Sequence, residues 1–437
     1  MSSSFHTLPQ GWQVKTLGEV CKITMGQSPK GEQVFSYNKI SSCLSDLECN
    51  EREESQKDST LKDISATHQC GNSKNGNDFM EFHQGKICFT DKYLSESEFV
   101  TTDIKKFAEK DSILLCVRAP VGIINITKRK VAIGRGLCAL KMKNQNNDFL
   151  YFYLLTLENY FNQKATGSTF SAITMNVVKN TPIPLPPLEV QKAIVEKLEN
   201  AFAHIDEAVR HLKAVQTNIP RLKSSLLHSA FNGKLTESHY DYHSKALAKE
   251  SKDNNTHTLP QGWEVKTLGE CLEYEQPTKY IVKNTQYSDE YEIPVLTAGK
   301  SFLLGYTNDI ENIFTQIPVI IFDDFTTDSK FVDFHFKVKS SAMKILHATK
   351  IANIKFVFYF MQTIQYRSDT HKRYWISEYA KLPIPLPPLA TQNQIVQILE
   401  SNFAHLEKLA QFVNESLENL QRLKSSLLNQ AFKGELV

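Results

Sequence analysis

From Ile194 the apolar positions of the chain fall at Ile194, Leu198, Ala201, Ile205, Ala208, Leu212, Val215, Ile219, Leu222 and Leu226. Those steps alternate four and three, which is the heptad seam of a coiled coil. A second stretch gives Ile395, Leu399, Leu406, Leu409, Val413, Leu420, Leu423 and Leu427 on the same register, with Asn402 and Ser416 at its two remaining seam positions. Polar residues at such positions can fix register. The pattern predicts two helices of about 40 residues, roughly 60 Å each at 1.5 Å per residue. Each follows a "PIPLPPL" block, from Pro182 and from Pro383, whose prolines cannot donate backbone hydrogen bonds and hold the lead-in extended. Gly233 and Gly434 are expected helix stops. Pro220 is expected to kink or interrupt the first helix, and Gln421 at the matching site is not.

The helices belong to a larger repeat. "HTLPQGWQVKTLGE" from His6 returns as "HTLPQGWEVKTLGE" from His257, an offset of 251. The proline block and its helix return at an offset of 201, down to "RLKSSLLHSAFNGKL" and "RLKSSLLNQAFKGEL". The intervening segments, Lys22–Thr181 and Leu272–Leu382, barely resemble each other. The order is therefore frame, variable domain, helix, stated twice, and it suggests an internal pseudo-twofold. If the helices pair, connectivity makes them antiparallel. The polar stretch Thr236–Thr256 reads as a surface linker. The fold class expected is α+β, with domains at 1–187 and 258–388, helices at 188–235 and 389–437, and a linker at 236–257.

Within the variable domains, "SILLCVRAPVGIINIT" and "KVAIGRGLCALKM" resemble two strands, with Arg118 and Arg135 at loop positions. "IPVIIFDD" and "DFHFKVKSSAMKIL" look like the equivalent pair, with "FTTDSKFV" as the loop between them. An aromatic-rich helix follows each, "NDFLYFYLLTLENYF" and "KFVFYFMQTIQY", and its rings are expected in the core.

Composition narrows the class. Hydrophobic residues at 41% and charged residues at 22% describe an ordinary globular chain. No run approaches a membrane span and the start has no signal-peptide pattern, so a cytoplasmic protein is expected. The eight cysteines form no framework; Cys43, Cys49, His68 and Cys70 read as scattered groups without a zinc pattern. The net charge of +2 conceals segregation. From Ser112 to Asn147 there is no acid, against Arg118, Lys128, Arg129, Lys130, Arg135, Lys141 and Lys143. From Phe334 to Ser368 there is again none, against Lys337, Lys339, Lys344, Lys350, Lys355 and Arg367.

Clustered positive charge is the footprint of a polyanion-binding surface. Arginine suits guanine edges and lysine mainly finds phosphate, so Arg118, Arg135, Arg367 and Arg373 are candidate base readers. Lys30, Lys128, Arg129, Lys130, Lys330, Lys337, Lys339 and Lys372 are candidate backbone contacts. Ser168, Thr169, Thr326, Thr327 and Tyr374 lie on polar loops expected to face the ligand. Catalytic signals fail: "TAGKS" at Gly299–Ser301 lacks the earlier glycine of a phosphate loop, and Asp323, Asp324 and Lys330 have no counterpart in the first domain.

The duplicated "LPQGWxVKTLGE" starts, the "IPLPPL" blocks followed by Gln191 and Gln392, and the paired "RLKSSLL" helix ends resemble the specificity subunits of type I restriction–modification systems. That resemblance implies a non-catalytic DNA reader with two target-recognition domains, each binding half of a split site, and an antiparallel coiled coil setting the gap. It implies double-stranded DNA, two methyltransferase subunits and restriction–translocation subunits as partners. S-adenosylmethionine, ATP and magnesium would sit on those partners, with no cofactor in this chain. The other reading from the residues is a protein-assembly scaffold with two partner-binding domains and no DNA readout.

Overall fold

The computed structural model describes residues 8–30, 33–36, 79–144, 146–167, 171–235, 259–297, 301–364 and 373–437. The chain forms two compact units, Met1–Arg210 with Leu417–Val437, and His211–Ser416. The divisions fall inside two long helices, Leu188–Phe231 and Leu389–Lys433. Each unit thus holds one globular fold, the start of one long helix and the end of the other.

The strands of the first unit are β1 (Gln13–Thr16), β2 (Cys21–Met25), β3 (Val34–Ser36), β4 (Met80–His83), β5 (Phe99–Thr101), β6 (Phe107–Ala108), β7 (Ile113–Cys116), β8 (Ile124–Ile126), β9 (Val131–Ile133), β10 (Leu137–Met142) and β11 (Pro182–Leu185). The main sheet is antiparallel in the order β2-β10-β7-β8, and a second sheet runs β3-β5-β4-β9-β6. Alternation along the central strands separates two cores. Ile113, Leu115, Cys138 and Leu140 face the helix Asn147–Leu155, while Leu114, Cys116, Leu137 and Ala139 face Val131 and Ile133 of the second sheet. Strands buried on both faces explain the continuous apolar runs. The expected strand pairs are in fact broken in two, at Arg118–Gly122, where Gly122 takes φ +93°, and at Gly134–Gly136.

The second unit contains β12 (Glu264–Thr267), β13 (Leu272–Glu275), β14 (Ile293–Leu296), β15 (Leu303–Thr307), β16 (Val319–Asp323), β17 (Ser329–Val332), β18 (Lys337–Val338), β19 (Met343–Ala348) and β20 (Pro383–Leu386). Its main sheet, β13-β19-β16-β17, repeats the order of the first. The parallel pair β14–β18 matches β4–β9, and β12–β20 matches β1–β11. Two unlike sequences therefore carry one topology. Ser329–Val332, expected as loop, is a strand because it completes the β16 ladder. The aromatic helices are core: Phe149 to Leu154 are all buried, as are Phe356 and Val357.

The repeated frame has a local cause at each point. "TLGE" is a capping box: in both copies the threonine (Thr16, Thr267) and the glutamate three residues on (Glu19, Glu270) cap one helical turn. The buried Gln191 amide donates to Pro186 O at 2.8 Å, and Gln392 to Pro387 O at 2.8 Å, satisfying carbonyls that end the proline strands. Gly434 and Gly233 stop the helices at φ +77° and +75°. A Cβ on Gly434 would lie 2.2 Å from Pro9, and one on Gly233 2.1 Å from Pro260, so each "LPQGW" block seats a helix end.

Inside each unit the two helix segments run antiparallel. Lys424 pairs with Asp206 in the first, and Lys223 pairs with Glu407 at 3.5 Å in the second. These are one pair in two copies, related by the 201-residue offset. Gln216 also donates to Asn414 at 2.9 Å in the second unit. Of the expected seam, Ile194, Leu198, Ile205, Ile219, Ile395, Leu399 and Val413 are buried, and Leu212, Leu226, Leu406, Leu420 and Leu427 are half-buried. Val215, Leu222, Leu409 and Leu423 are exposed. Pro220 does not interrupt the helix; it stands on an exposed position of a continuous element.

The helix ends close the cores. Phe432 packs edge-on against Phe149 and Tyr153, and Phe231 against Phe356 and Phe360. Phe432→Ala should destabilise the first unit by about 3 kcal/mol, and Phe231→Ala the second by a similar amount. Amide exchange should then rise in 147–155 for the first variant and in 354–361 for the second. Equal protection of both helices in both variants would contradict this packing.

Candidate nucleic-acid interface

In the first unit three loops stack backbone to backbone at one end of the main sheet. Gly26 N–H donates to Leu137 O at 2.8 Å and Gly134 N–H to His83 O at 2.8 Å. A Cβ on Gly26 would lie 2.1 Å from Gly134 O, and one on Gly136 2.4 Å from Gln84 O. Only glycine allows this approach. The Ser28 hydroxyl donates to Gln84 Oε1 at 3.0 Å and sits 3.5 Å from Arg135 N. A fourth loop joins them, since Val117 N–H donates to Gly136 O at 2.9 Å and Ala119 N–H to Ser171 O at 3.0 Å. The structure thus brings together Lys30, Gln84, Lys86, Arg118 and Arg135, all exposed. None of the four cations has an ion-pair partner among the described residues. They are donors suited to phosphate oxygens and to guanine edges.

In the second unit the corresponding end carries different side chains. Asp324 O accepts from Tyr374 N at 3.0 Å, as Val117 O accepts from Ile173 N at 2.9 Å, and Asp324 N donates to Ala342 O at 3.3 Å. Phe325 therefore holds the place of Arg118, and Lys339, bonded to Leu296 O at 2.8 Å, holds that of Gly134. Thr326, Lys330, Lys339 and Arg373 are exposed, and Thr327 is half-buried at φ +65°.

Three of the expected contacts are corrected. Arg129 is bound to Glu81 through Nε and Nη2 and to the carbonyls of Leu94 and Ser95 at 3.3 and 3.0 Å. Lys337 is buried, 2.9 Å from Asp309. Tyr374 is buried in the second unit's fold. A charge held by a partly buried carboxylate is part of the fold rather than a ligand contact. Lys128 and Lys130 are exposed over the rings of Tyr93 and Phe107, at 4.0 and 4.3 Å, but the β8–β9 turn lies at the other end of the sheet from Arg118. Ser168, Thr169, Arg367 and Lys372 lie outside the described residues, as do Cys43, Cys49, His68, Cys70, Gly299 and the linker. Among the described residues no group of His, Cys, Asp or Glu is placed to hold a metal, and no helix is long and apolar enough to cross a membrane. The acid pair has structural work: Asp324 accepts from Trp375 N at 2.8 Å and lies 3.5 Å from Lys344, not against Lys330.

Sequence reasoning missed Ser28, Gln84, Lys86 and Phe325. The glycines of "GQSPKGE", "HQGK" and "GRG" were the available signal, but nothing in the sequence says that these three loops touch.

Burial pushes the Glu81 carboxyl up, but hydrogen bonds from His83 and Arg129 outweigh it and hold the group at about 2. A depressed folded value means stabilisation that is present above about pH 4.5 and is lost as the pH falls through about 2. Arg129→Ala should therefore cost about 1–2 kcal/mol at pH 7, because His83 and Ser97 still hold Glu81, and the deficit should shrink below pH 4.5 in thermal melts. DNA affinity of the folded variant should be unchanged. A fully stable variant with weakened DNA binding would restore Arg129 as a contact.

The family model of the type I restriction modification DNA specificity domain matches residues 9–215 and 260–419. The chain is 46% identical over 175 residues to the type I restriction enzyme EcoR124I/EcoR124II specificity subunit of Escherichia coli. That match takes in 37% of this chain and 43% of the relative, so the chain spans less than half that relative's length. Among solved structures, a chain of a type I R-M system studied for complex assembly and conformational transition is similar with a TM-score of 0.68 at 17% identity, over 99% of this chain and 100% of that one. The HsdS subunit from Thermoanaerobacter tengcongensis gives 0.55 at 18% identity, with both chains fully covered.

Proposed function

The chain belongs to the type I restriction–modification DNA specificity family, and on that premise we propose that it is the non-catalytic DNA-reading subunit of such a complex. Each unit binds one half of a bipartite duplex site in the major groove. The observation that carries this reading is one topology stated twice with different side chains at matching loop positions, Arg118 against Phe325 and Gly134 against Lys339. Two readers of one design and different chemistry suit an asymmetric target.

The long helices act as the spacer, pairing as an antiparallel coiled coil about an internal pseudo-twofold. Support comes from the repeated Lys–Asp/Glu pair and from the buried part of the seam, Ile205, Ile219 and Val413 among it. The frame also exposes the same apolar side chains in both copies: Val14 at 50% and Val265 at 62%, Leu188 at 43% and Leu389 at 46%, Leu222 at 49% and Leu423 at 46%. Matched apolar positions on a duplicated frame favour docking of a partner in two copies, one methyltransferase subunit per unit. Methylation with S-adenosylmethionine, and ATP- and magnesium-dependent translocation and cleavage, then belong to partner subunits in the cytoplasm.

Selection from a random duplex pool tests the reading. The chain with its methyltransferase partner should enrich one bipartite sequence, and preference should persist at moderate salt where nonspecific binding falls away. Equal binding to all sequences would reject it. Inserting one heptad at facing positions of both long helices should lengthen the preferred gap and leave both half-sites unchanged. An unchanged gap would mean that the helices do not set the spacing.

A further inference from the structure

The loop after β16 presents an apolar ring where the first unit presents a cation. Phe325 is 39% exposed. The backbone beneath it is held on both sides. Asp323 Oδ1 accepts from Phe325 N at 2.9 Å and from Thr326 N at 3.3 Å, and Asp323 O accepts from Thr327 N at 3.0 Å. Thr327 turns the chain back at φ +65°, a conformation that costs a β-branched residue energy. Asp324, itself buried, takes the Trp375 N–H and the Lys344 ammonium. Two buried carboxylates thus fix the backbone at the root of a ring that leaves much of its surface in solvent. Its neighbours are the exposed Thr326 and, through the Tyr374–Asp324 hydrogen bond, Arg373.

We propose, on the strength of the DNA-reading function above, that Phe325 is a specificity-determining residue whose ring contacts the C5-methyl of a thymine in the half-site read by the second unit. The thymine methyl is the one apolar group on a major-groove edge, and phenylalanine and threonine methyls are the side chains that match it. Arg118, at the equivalent place of the first unit, offers only donors and suits guanine. One backbone position thereby reads opposite chemistry in the two halves, which makes the target asymmetric.

The test replaces each thymine of the selected duplex in turn by deoxyuridine, which lacks only the methyl group. With the wild-type chain in its methyltransferase complex, one thymine should be found whose replacement weakens binding about four-fold, the factor for burying one methyl group. That thymine should lie in the half-site whose preference is untouched by Arg118→Ala. Phe325→Ala should lose the same factor on the thymine duplex and bind the uracil duplex equally well. Additive losses for the two changes, or no sensitive thymine in that half-site, would overturn the assignment. A ring that wedges between base pairs, or that packs on a protein partner, gives that second outcome. A wild-type chain that selects no sequence at all would instead overturn the DNA-reading function itself.

Discussion

Each globular fold is completed by a helix end that does not follow it directly in the chain. Phe432 fills the space between Phe149 and Tyr153, and Phe231 fills the matching space beside Phe356 and Phe360. Without those rings each aromatic helix would lose part of its packing, so the frame completes the core of each variable segment. The requirement explains why the repeat includes the "RLKSSLL" ends as well as the proline blocks. The helix end, the "LPQGW" seat and the buried glutamine after the prolines are parts of one closure. Each must match the others, and the chain keeps all of them in both copies.

Rigid closure at one end leaves the loops at the other end free to differ. In the first unit, glycines bring three loops into backbone contact and a serine–glutamine hydrogen bond fixes the exposed amide. In the second, two buried aspartates do the holding and hydroxyls with an aromatic ring face outward. The means of support differ as much as the side chains presented. That is the expected result when topology is constrained by the core and the loops by a ligand.

The long helices and their stops were legible because apolar periodicity and glycine punctuation are local signals, whereas the expected seam positions Val215, Leu222, Leu409 and Leu423 are exposed. The aromatic helices are legible as core, since runs such as "DFLYFYLL" leave no polar face. The common topology was hidden, because strands buried on both faces require only apolar residues and so share no particular sequence. Arg129 and Lys337 looked like free cations because Glu81 and Asp309, which hold them, lie 48 and 28 positions away in the chain. Phe325 escaped notice for a related reason: its exposure depends on hydrogen bonds to Asp323 and on the far strand that fixes Asp324. Ser28, Gln84 and Lys86 join the candidate interface only through contacts between segments distant in the chain.

The central claim is that two units of one topology read two different half-sites held at a fixed distance. Expressing the chain with its methyltransferase partner in a host lacking that methylation, and mapping modified adenines across the genome, tests it most directly. The account predicts a single new motif made of two unlike halves separated by a gap of constant length. Methylation at a continuous motif, at a gap of varying length, or at two identical halves would contradict it.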